Sequence, residues 1–179
     1  MTAIPVPAED GLIDALIMIV GDRLSTVPAV REQHGKDESY HASAAPDVVV
    51  FPESTEEVVA IVKTCAARDV AIIPFGTGTS LEGHVAALRG GVCIDTSHMN
   101  QILTVNNEDM DVTVQAGVTR KALNEYLRDT GLFFPVDPGA DASIGGMAAT
   151  RASGTNAVLP PSMKDLPPRT RLSGRLPRW

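Results

Sequence analysis

The hydrophobic and polar positions of the chain predict alternating helices and strands. The apolar run at residues 12–20 contains Asp14 and is far shorter than the ~20 residues of a membrane span, so it predicts an amphipathic helix. Residues 48–51 form a β-branched and aromatic run that ends at Pro52, which predicts a buried strand. Residues 71–73 predict a second strand of the same kind.

A helix is predicted between these two strands. Ser54 precedes Glu57 by three residues, which is the spacing of a capping box, and apolar residues recur at helical spacing from residue 58 to residue 66. A strand, a helix and a strand within about 28 residues form a βαβ unit, whose strands run parallel. The segment 74–84 therefore leaves the carboxyl end of a parallel strand, where open α/β sheets usually bind ligands.

The second half of the chain has shorter elements. Residues 92–95 predict a third strand, and residues 102–105 and 112–115 flank an acidic turn, which predicts a hairpin. A second helix begins after Thr119. Small residues then cluster between positions 143 and 156, after a turn-rich approach.

Composition narrows the class of protein. The chain has 179 residues and a formal charge of −7, and this charge argues against nucleic acid or an anionic membrane as its main partner. Cys65 and Cys93 lie in apolar segments and form no C-x-x-C pair, so we expect reduced thiols and a cytoplasmic location. Glu9 and Asp10, and no basic residues, precede the apolar run at residues 12–20, so we expect no signal peptide. The four histidines lack zinc-ligand spacing, so no metal site is predicted.

The segment 74–84 is rich in glycine and hydroxyl residues, which is typical of a loop that turns several N–H groups toward a phosphate. It lacks the Gly-Lys-Ser/Thr ending of a P-loop, which argues against ATP or GTP turnover. A dinucleotide-binding fingerprint fits at Gly76 and Gly78, but its third glycine position holds Leu81. NAD binding thus remains the weaker alternative, with Asp95 either a ribose-binding acid or simply the end of a strand.

The cluster of small residues after position 142 offers a second candidate contact for phosphate. Ser143 is placed to cap a short helix that would aim free N–H groups at an anion. Neither cluster has a lysine or arginine at its centre, so binding would rest on backbone amides and hydroxyls, which suits a permanently held cofactor with a pyrophosphate. Each cluster alone is equally compatible with a tight structural turn.

The two clusters together resemble a known family. Residues 74–83 and 135–150 are similar to the FAD-linked oxidases, whose flavin fold is shared with vanillyl-alcohol oxidase, and most similar to the cytochrome-type D-lactate dehydrogenases and the flavin subunit of glycolate oxidase. Residues 47–52, 115–118 and 153–158 also look like that family, in the same order, so the resemblance spans residues 22–158.

This resemblance implies an α+β fold, an FAD-binding domain of the PCMH type. The domain would consist of an N-terminal βαβ subdomain and the start of a second α+β subdomain, and it would be incomplete. We expect an N-terminal helical lead-in over residues 1–45 and the partial FAD-binding domain over residues 46–158.

The resemblance also implies which residues bind FAD, and that they do so non-covalently, without a flavin link to His84. Arg151 is left out because some relatives have glycine there. The implied cofactor-binding residues are Pro74, Gly76, Thr77, Gly78, Thr79, Ser80, Pro138, Gly139, Ser143, Gly145, Gly146, Ala149, Thr150, Ser153 and Gly154.

The chemistry implied by the resemblance is oxidation of a D-2-hydroxy acid, such as D-lactate or glycolate, to the 2-oxo acid. Electrons would pass to a cytochrome or another carrier. The groups that take the substrate proton and hold its carboxylate lie in later regions of the family, so no catalytic acid or base is predicted in this chain.

The composition changes after residue 158. Residues 160–179 hold five of the 13 prolines and five basic residues against one acidic residue, so residues 159–179 are predicted to be disordered and foreign to the family. A frameshift or gene-model error would explain the change, and we expect the chain alone to bind FAD weakly and to be inactive. The alternative is a non-catalytic remnant or an interaction module with a basic tail.

Overall fold

The computed structural model describes residues 10–154 and the backbone of residues 170–171 and 173–174. The chain divides into two units, residues 1–98 and residues 99–179. No helix in the described part is both long enough and apolar enough to cross a membrane.

A small sheet with helices forms the first unit. Its elements are α1 (Asp10–Val20), β1 (Leu24–Ser25), α2 (Pro28–His34), β2 (Val48–Val50), α3 (Thr55–Ala66), β3 (Ile72–Phe75), β4 (Val92–Asp95) and a 3₁₀ turn at Thr96–His98.

The sheet has the strand order β1-β2-β4-β3. β2 and β3 both run parallel to β4, which confirms the predicted parallel orientation, but β4 lies between them and pairs with each. All four residues of β4 are buried, as a central strand requires. β3 contains the exposed Pro74, which has no N–H group to donate and is tolerated because β3 is at the edge.

The predicted cap begins α3. The hydroxyl of Ser54 accepts a hydrogen bond from the Glu57 N–H group at 3.2 Å. The carboxylate of Glu57 accepts one from the Glu53 N–H group at 2.8 Å, one residue before the cap. The start of α3 is therefore held by both members of the predicted box, with the second bond displaced by one residue.

The core of the first unit joins α1 and α3 to the sheet. Leu12, Leu16 and Val20 of α1 are fully buried and cluster with Ile61 and Cys65 of α3. Four strand residues complete this cluster: Val48, Val50, Val92 and Ile94. The predicted helical lead-in thus shares one hydrophobic core with the βαβ strands.

The second unit alternates short strands and helices. Its elements are β5 (Ile102–Asn106), β6 (Asp111–Val114), α4 (Arg120–Leu127), β7 (Leu132–Phe133), α5 (Ile144–Thr150), β8 (Thr170–Arg171) and β9 (Ser173–Gly174). β5 and β6 form the predicted antiparallel hairpin, and the hydroxyl of Thr119 accepts a bond from the Ala122 N–H group and so caps α4 as predicted. The buried core includes Leu123, Leu127 and Phe134.

Four residues of the predicted disordered segment lie in strands. β8 pairs with β6 through Asp111 and Arg171, and β9 pairs with β7 through Leu132 and Gly174. The edges of β6 and β7 offer unpaired backbone groups, which these short strands satisfy. Disorder over residues 159–179 stays a prediction. The other residues of segment 159–179 lie outside the described part.

Candidate functional site

The loop that follows β3 carries the first predicted site. It continues directly from Phe75, the residue that pairs with Asp95 at the end of β4, so it starts at the carboxyl ends of two parallel strands. Gly78 has a φ of +67° and Gly83 a φ of +69°, backbone conformations that favour glycine. The sequence therefore correctly predicted both the position of this loop and its need for glycine.

The loop presents a row of unused donors. In the described part of the chain, the N–H groups of residues 76–80 donate to no other group. The Thr77 and Thr79 hydroxyls lie 3.1 Å apart and add two further polar groups. Consecutive free amides of this kind form an anion-binding concavity, which is what a diphosphate requires.

A neighbouring segment, residues 36–41, fixes the far end of the loop. One carboxylate oxygen of Asp37 accepts a hydrogen bond from the Gly83 N–H group at 2.9 Å, and the Glu38 N–H group donates to the Ser80 carbonyl at 3.1 Å. Burial alone would raise the pKa of Asp37, but hydrogen bonds from Ser39 and Gly83 lower it. These contacts hold the loop, and no motif in the sequence indicated them.

A cavity of about 980 Å³ lies beside the loop within the first unit. Its wall includes Gly76, Thr77 and Gly78, and residues from α2 and from segment 36–41 complete it. The lining also includes His34, Phe51, Phe75 and Asp95. The free amides thus border a concave space of the size that ligand sites usually have.

Asp95 does not act as a free carboxylate in this cavity. It is the last residue of β4, it is buried, and its Oδ2 atom lies 2.8 Å from Nε2 of His34. Its other oxygen accepts a hydrogen bond from the Ser97 N–H group at 2.7 Å. Because both oxygens have partners, the structure favours the simpler of the two predicted roles, a strand end, over a ribose-binding acid.

The start of α5 differs from the expectation. Ser143 caps the helix, since its hydroxyl accepts a bond from the Gly146 N–H group at 3.3 Å. The other amides of the first turn also have partners inside the chain: Ile144 donates to Val118, Gly145 to Ala116 and Met147 to Ser143. The predicted free N–H groups are therefore absent here, because the backbone of residues 116–118 lies against the start of the helix and accepts from it.

Close backbone packing explains the glycines of this second cluster. A Cβ atom on Gly145 would lie 2.7 Å from the Cβ of Ala116. A Cβ atom on Gly154 would collide with the backbone of Asp137. Gly139 has a φ of +87°, and its N–H group donates to the Asp137 carboxylate at 3.0 Å. Gly145 and Gly154 therefore let segments of the second unit approach each other, whereas Gly139 provides a left-handed backbone conformation.

The remaining predicted residues divide between the two units. Pro74 is exposed on β3 of the first unit, while Pro138 is half-buried and Ala149, Thr150 and Ser153 are exposed in the second unit. Arg151 ends α5 with a left-handed φ of +53°, a position that glycine usually occupies. Among the described residues, no group of histidines, cysteines or acids could hold a metal ion.

Two side-chain pairings, one in each unit, could not be predicted from the sequence. Arg120 forms an ion pair with Asp137 at 3.3 Å, and its Nε atom is buried without a hydrogen-bond partner in the described part. His34 joins Asp95 across 61 positions of sequence. Neither pair has a local spacing signal, because the partners come from separate elements.

Comparison with known proteins gives the family. Residues 46–166 match the model of the FAD binding domain. The chain is 58% identical to the "Probable D-lactate dehydrogenase, mitochondrial" of Danio rerio over 88% of this chain and 32% of that protein. It is 51% identical to the mitochondrial "D-lactate dehydrogenase [cytochrome]" of Arabidopsis thaliana over 89% of this chain and 28% of that protein. The chain spans about a third of the length of these curated relatives.

Solved structures support the same fold. An alkyldihydroxyacetonephosphate synthase superposes with a TM-score of 0.82 at 27% identity, covering 91% of this chain and 36% of that one. p-Cresol methylhydroxylase superposes with a TM-score of 0.70 at 22% identity over 83% of this chain and 31% of that one. The predicted α+β fold of the PCMH type is confirmed, and so is FAD as the cofactor of the family. The chain belongs to the FAD-binding domain family.

Proposed function

We propose that this chain is the FAD-binding part of a flavin-dependent dehydrogenase. The enzyme oxidises a D-2-hydroxy acid, such as D-lactate or glycolate, to the 2-oxo acid and passes electrons to a cytochrome or another carrier. The observation that carries this proposal is the row of free N–H groups at residues 76–80, of which residues 76–78 line a cavity at the carboxyl ends of β3 and β4. This chain would supply the contacts to the diphosphate.

The residues of the loop fit this cofactor. Residues 76–80 would hold the diphosphate of FAD with backbone N–H groups, and the Thr77 and Thr79 hydroxyls lie beside them. Gly78 keeps this backbone accessible because it has no side chain. FAD, when bound, supplies the acceptor for the hydride of the substrate. The predicted residues of the second unit, from Pro138 to Gly154, are proposed to contact the rest of the cofactor.

The substrate class follows from the names of the relatives. Besides the D-lactate dehydrogenases, the chain is 36% identical to a D-2-hydroxyglutarate dehydrogenase of Stutzerimonas stutzeri and 32% identical to the "Glycolate oxidase subunit GlcD" of Bacillus subtilis. All these names refer to 2-hydroxy acids. The names of D-lactate dehydrogenases from Arabidopsis thaliana, Kluyveromyces lactis and Saccharomyces cerevisiae include "cytochrome", which supports a cytochrome as the acceptor.

The first experiment tests cofactor binding by the chain itself. FAD is titrated into the ¹⁵N-labelled chain while its amide resonances are recorded by NMR. We expect weak binding that shifts the resonances of residues 76–80, whose N–H groups are free, and leaves those of Ile144 and Gly145 within α5 largely in place. Unchanged resonances throughout residues 76–80 would contradict the proposal.

A chimera tests the reaction. Residues 1–154 of this chain replace the part of the Danio rerio relative that they match, and reduction of a dye is followed with D-lactate, glycolate, D-2-hydroxyglutarate and L-lactate. We expect reduction with at least one D-2-hydroxy acid or glycolate and none with L-lactate. A folded chimera that binds FAD but oxidises no hydroxy acid, beside an active zebrafish parent, would overturn the proposed reaction.

The alternative of an interaction module with a basic tail has less support. Four tail residues pair with β6 and β7, so part of the tail belongs to the sheets of the second unit.

The cytoplasmic location stays a prediction from Cys65 and Cys93, which are both free and buried, whereas the zebrafish and Arabidopsis relatives are named mitochondrial. Cell fractionation with an antibody to this chain tests the location.

A further inference from the structure

A buried pair, His34 and Asp95, is part of the lining of the cavity. His34 is the last residue of α2 and Asp95 the last residue of β4, and each is only 5% exposed. Their side chains meet at 2.8 Å between Nε2 and Oδ2. Burial of ionisable groups is unfavourable unless they are paired. The proposed function gives this pair no role.

The hydrogen bonds of His34 show where its protons lie. Its Nδ1 atom is 2.7 Å from the carbonyl oxygen of Val30, which can only accept, so Nδ1 carries a hydrogen. Nε2 faces the Asp95 carboxylate, and a second proton there makes the pair an imidazolium and a carboxylate. Burial by itself lowers the pKa of His34, but the hydrogen bonds to Asp95 and Val30 outweigh it and raise the pKa above its usual value.

Aromatic rings connect this pair to the phosphate-binding loop. The ring centroids of His34 and Phe75 are 4.5 Å apart, and Phe51 meets the edge of His34 at 5.7 Å. Phe75 directly precedes the loop, and its Cζ atom would lie 2.9 Å from a Cβ atom on Gly78. The Gly78 backbone therefore rests on Phe75, and Phe75 rests on the imidazole.

The other charged groups near His34 have different partners or are exposed. The Arg31 guanidinium on α2 donates to the Pro46 carbonyl at 2.6 Å, and Asp37 binds the Gly83 N–H group. His98 lies on Phe51, with ring centroids 5.2 Å apart, and is 4.0 Å from Glu53. Three exposed residues complete the surroundings: Glu32, Lys36 and Glu38. Among the described residues, Asp95 supplies the carboxylate that contacts the imidazole.

We propose that the His34–Asp95 pair is a positioning device for the loop at residues 76–80, so that diphosphate binding requires the proton on Nε2 of His34. This inference rests on the proposed function of the loop. His34 contacts the ring of Phe75, Asp95 pairs with Phe75 between β4 and β3, and Phe75 supports the backbone of Gly78, which lines the cavity.

Loss of the proton acts in two ways, and both weaken binding. The lone pair of Nε2 then faces the Asp95 carboxylate, so the ring can no longer keep its place against Phe75. The carboxylate also becomes an unpaired negative charge below a loop that binds an anion. The affinity for FAD therefore falls as the pH rises through the pKa of His34.

The test is the dissociation constant of FAD as a function of pH, measured by flavin fluorescence. FAD is the chosen ligand because its two phosphates are diesters and do not titrate in this range. We expect affinity to fall about tenfold from about pH 6 to about pH 9 in the wild-type chain. Asp95→Asn keeps a hydrogen-bonding side chain without the charge, so its FAD affinity should stay flat over the same range.

The matched control is His98→Gln, which removes an exposed histidine on the other side of Phe51 and should keep the wild-type pH dependence. Wild-type affinity that is flat with pH, or an Asp95→Asn variant that keeps the fall, would overturn the proposal. A His98→Gln variant that abolishes the fall would do the same, because the titrating group would then be His98.

NMR separates this inference from the proposed function and needs no variant. In the ligand-free wild-type chain, the amide resonances of Gly76 and Gly78 should titrate with the same midpoint as the His34 ring. A chain that binds no FAD at any pH but shows this common midpoint contradicts the proposed function and supports the pairing. If the loop resonances do not change as His34 titrates, the proposed positioning role of the His34–Asp95 pair is contradicted, whether or not FAD binds.

Discussion

At the scale of single residues, two glycines with the same backbone conformation have different tasks. Gly21 and Gly78 have φ values of +63° and +67°. A Cβ atom would meet nothing within 4 Å at Gly21, whereas at Gly78 it would press on Phe75 at 2.9 Å. Gly21 therefore provides only backbone freedom, while Gly78 also keeps the phosphate-binding loop in contact with the ring below it.

This difference predicts the outcome of two alanine substitutions. Gly78→Ala should weaken FAD binding about tenfold or more, because the loop must lift away from Phe75 in addition to adopting a strained φ. Gly21→Ala should lower the free energy of unfolding by about 1 kcal/mol and leave FAD affinity unchanged. Urea unfolding and fluorescence titration of both variants measure the two effects. Equal FAD affinities in the two variants would show that the loop tolerates displacement.

Glu57 makes the stability of the first unit depend on pH in the acidic range. A hydrogen bond from the Arg23 side chain, at 2.6 Å, is the main cause that lowers the pKa of Glu57 to about 2. Because this pKa is below the ordinary value of 4.5 for a glutamate, the pair stabilises the fold above pH 4.5, and this stability is lost as the pH falls toward 2. We expect Glu57→Gln to lower the free energy of unfolding by about 1–3 kcal/mol at neutral pH and to weaken its acid dependence.

The control for this prediction is Glu56→Gln, which changes the exposed neighbouring residue in the first turn of the same helix. Its free energy of unfolding should stay within about 0.5 kcal/mol of the wild type, with the same acid dependence. Urea unfolding from about pH 7 down to about pH 3 measures both variants. Identical curves for the two variants would show that the bond between Arg23 and Glu57 contributes little.

At the scale of elements, local patterns were sufficient where neighbouring residues decide the structure. Ser54 and Thr119 were predicted to begin helices, and both hydroxyls accept the expected bonds. The place of β4 between β2 and β3 was not predicted, because strand order depends on contacts between residues about 20 to 40 positions apart. For the same reason, the contacts of His34 and Asp37 could not be predicted from the sequence, since their partners lie 61 and 46 positions away.

The packing of α1 gives a prediction at this scale. Leu16 is fully buried against the sheet, whereas Met18 on the same helix is 86% exposed. Leu16→Ala should lower the free energy of unfolding by about 2–5 kcal/mol, because it leaves a cavity between α1, α3 and the sheet. Met18→Ala should change it by no more than about 0.5 kcal/mol. Similar urea midpoints for the two variants would show that α1 does not belong to this core.

At the scale of the whole molecule, the net charge of the chain repels the ligand proposed for its site. The chain carries a net charge of −7, yet its proposed ligand is an anion. The loop resolves this conflict because backbone amides attract a diphosphate only at contact distance, without a cationic field. The sequence was sufficient to predict this loop from its glycine and hydroxyl residues. It was not sufficient to predict that the N–H groups at the start of α5 already have hydrogen-bond acceptors, since those acceptors belong to another segment.

Salt dependence tests this arrangement. Raising the ionic strength from about 10 mM to about 150 mM shortens the screening length from roughly 30 Å to roughly 8 Å. We expect FAD affinity to stay within about threefold or to increase slightly, because salt screens the repulsion by the net charge. A steep loss of affinity, measured by fluorescence titration at several salt concentrations, would assign binding to a cationic side chain such as Lys36, which also lines the cavity.

The central position of β4 has a consequence for biosynthesis. β2 and β3 leave the ribosome first, but neither has its parallel neighbour until residues 92–95 have emerged. The two earlier strands must remain unpaired with each other while about twenty further residues are translated, which takes seconds at ordinary elongation rates. The nascent chain therefore exposes apolar strand edges during that interval, and a chaperone that binds extended apolar segments would act between the synthesis of β3 and that of β4.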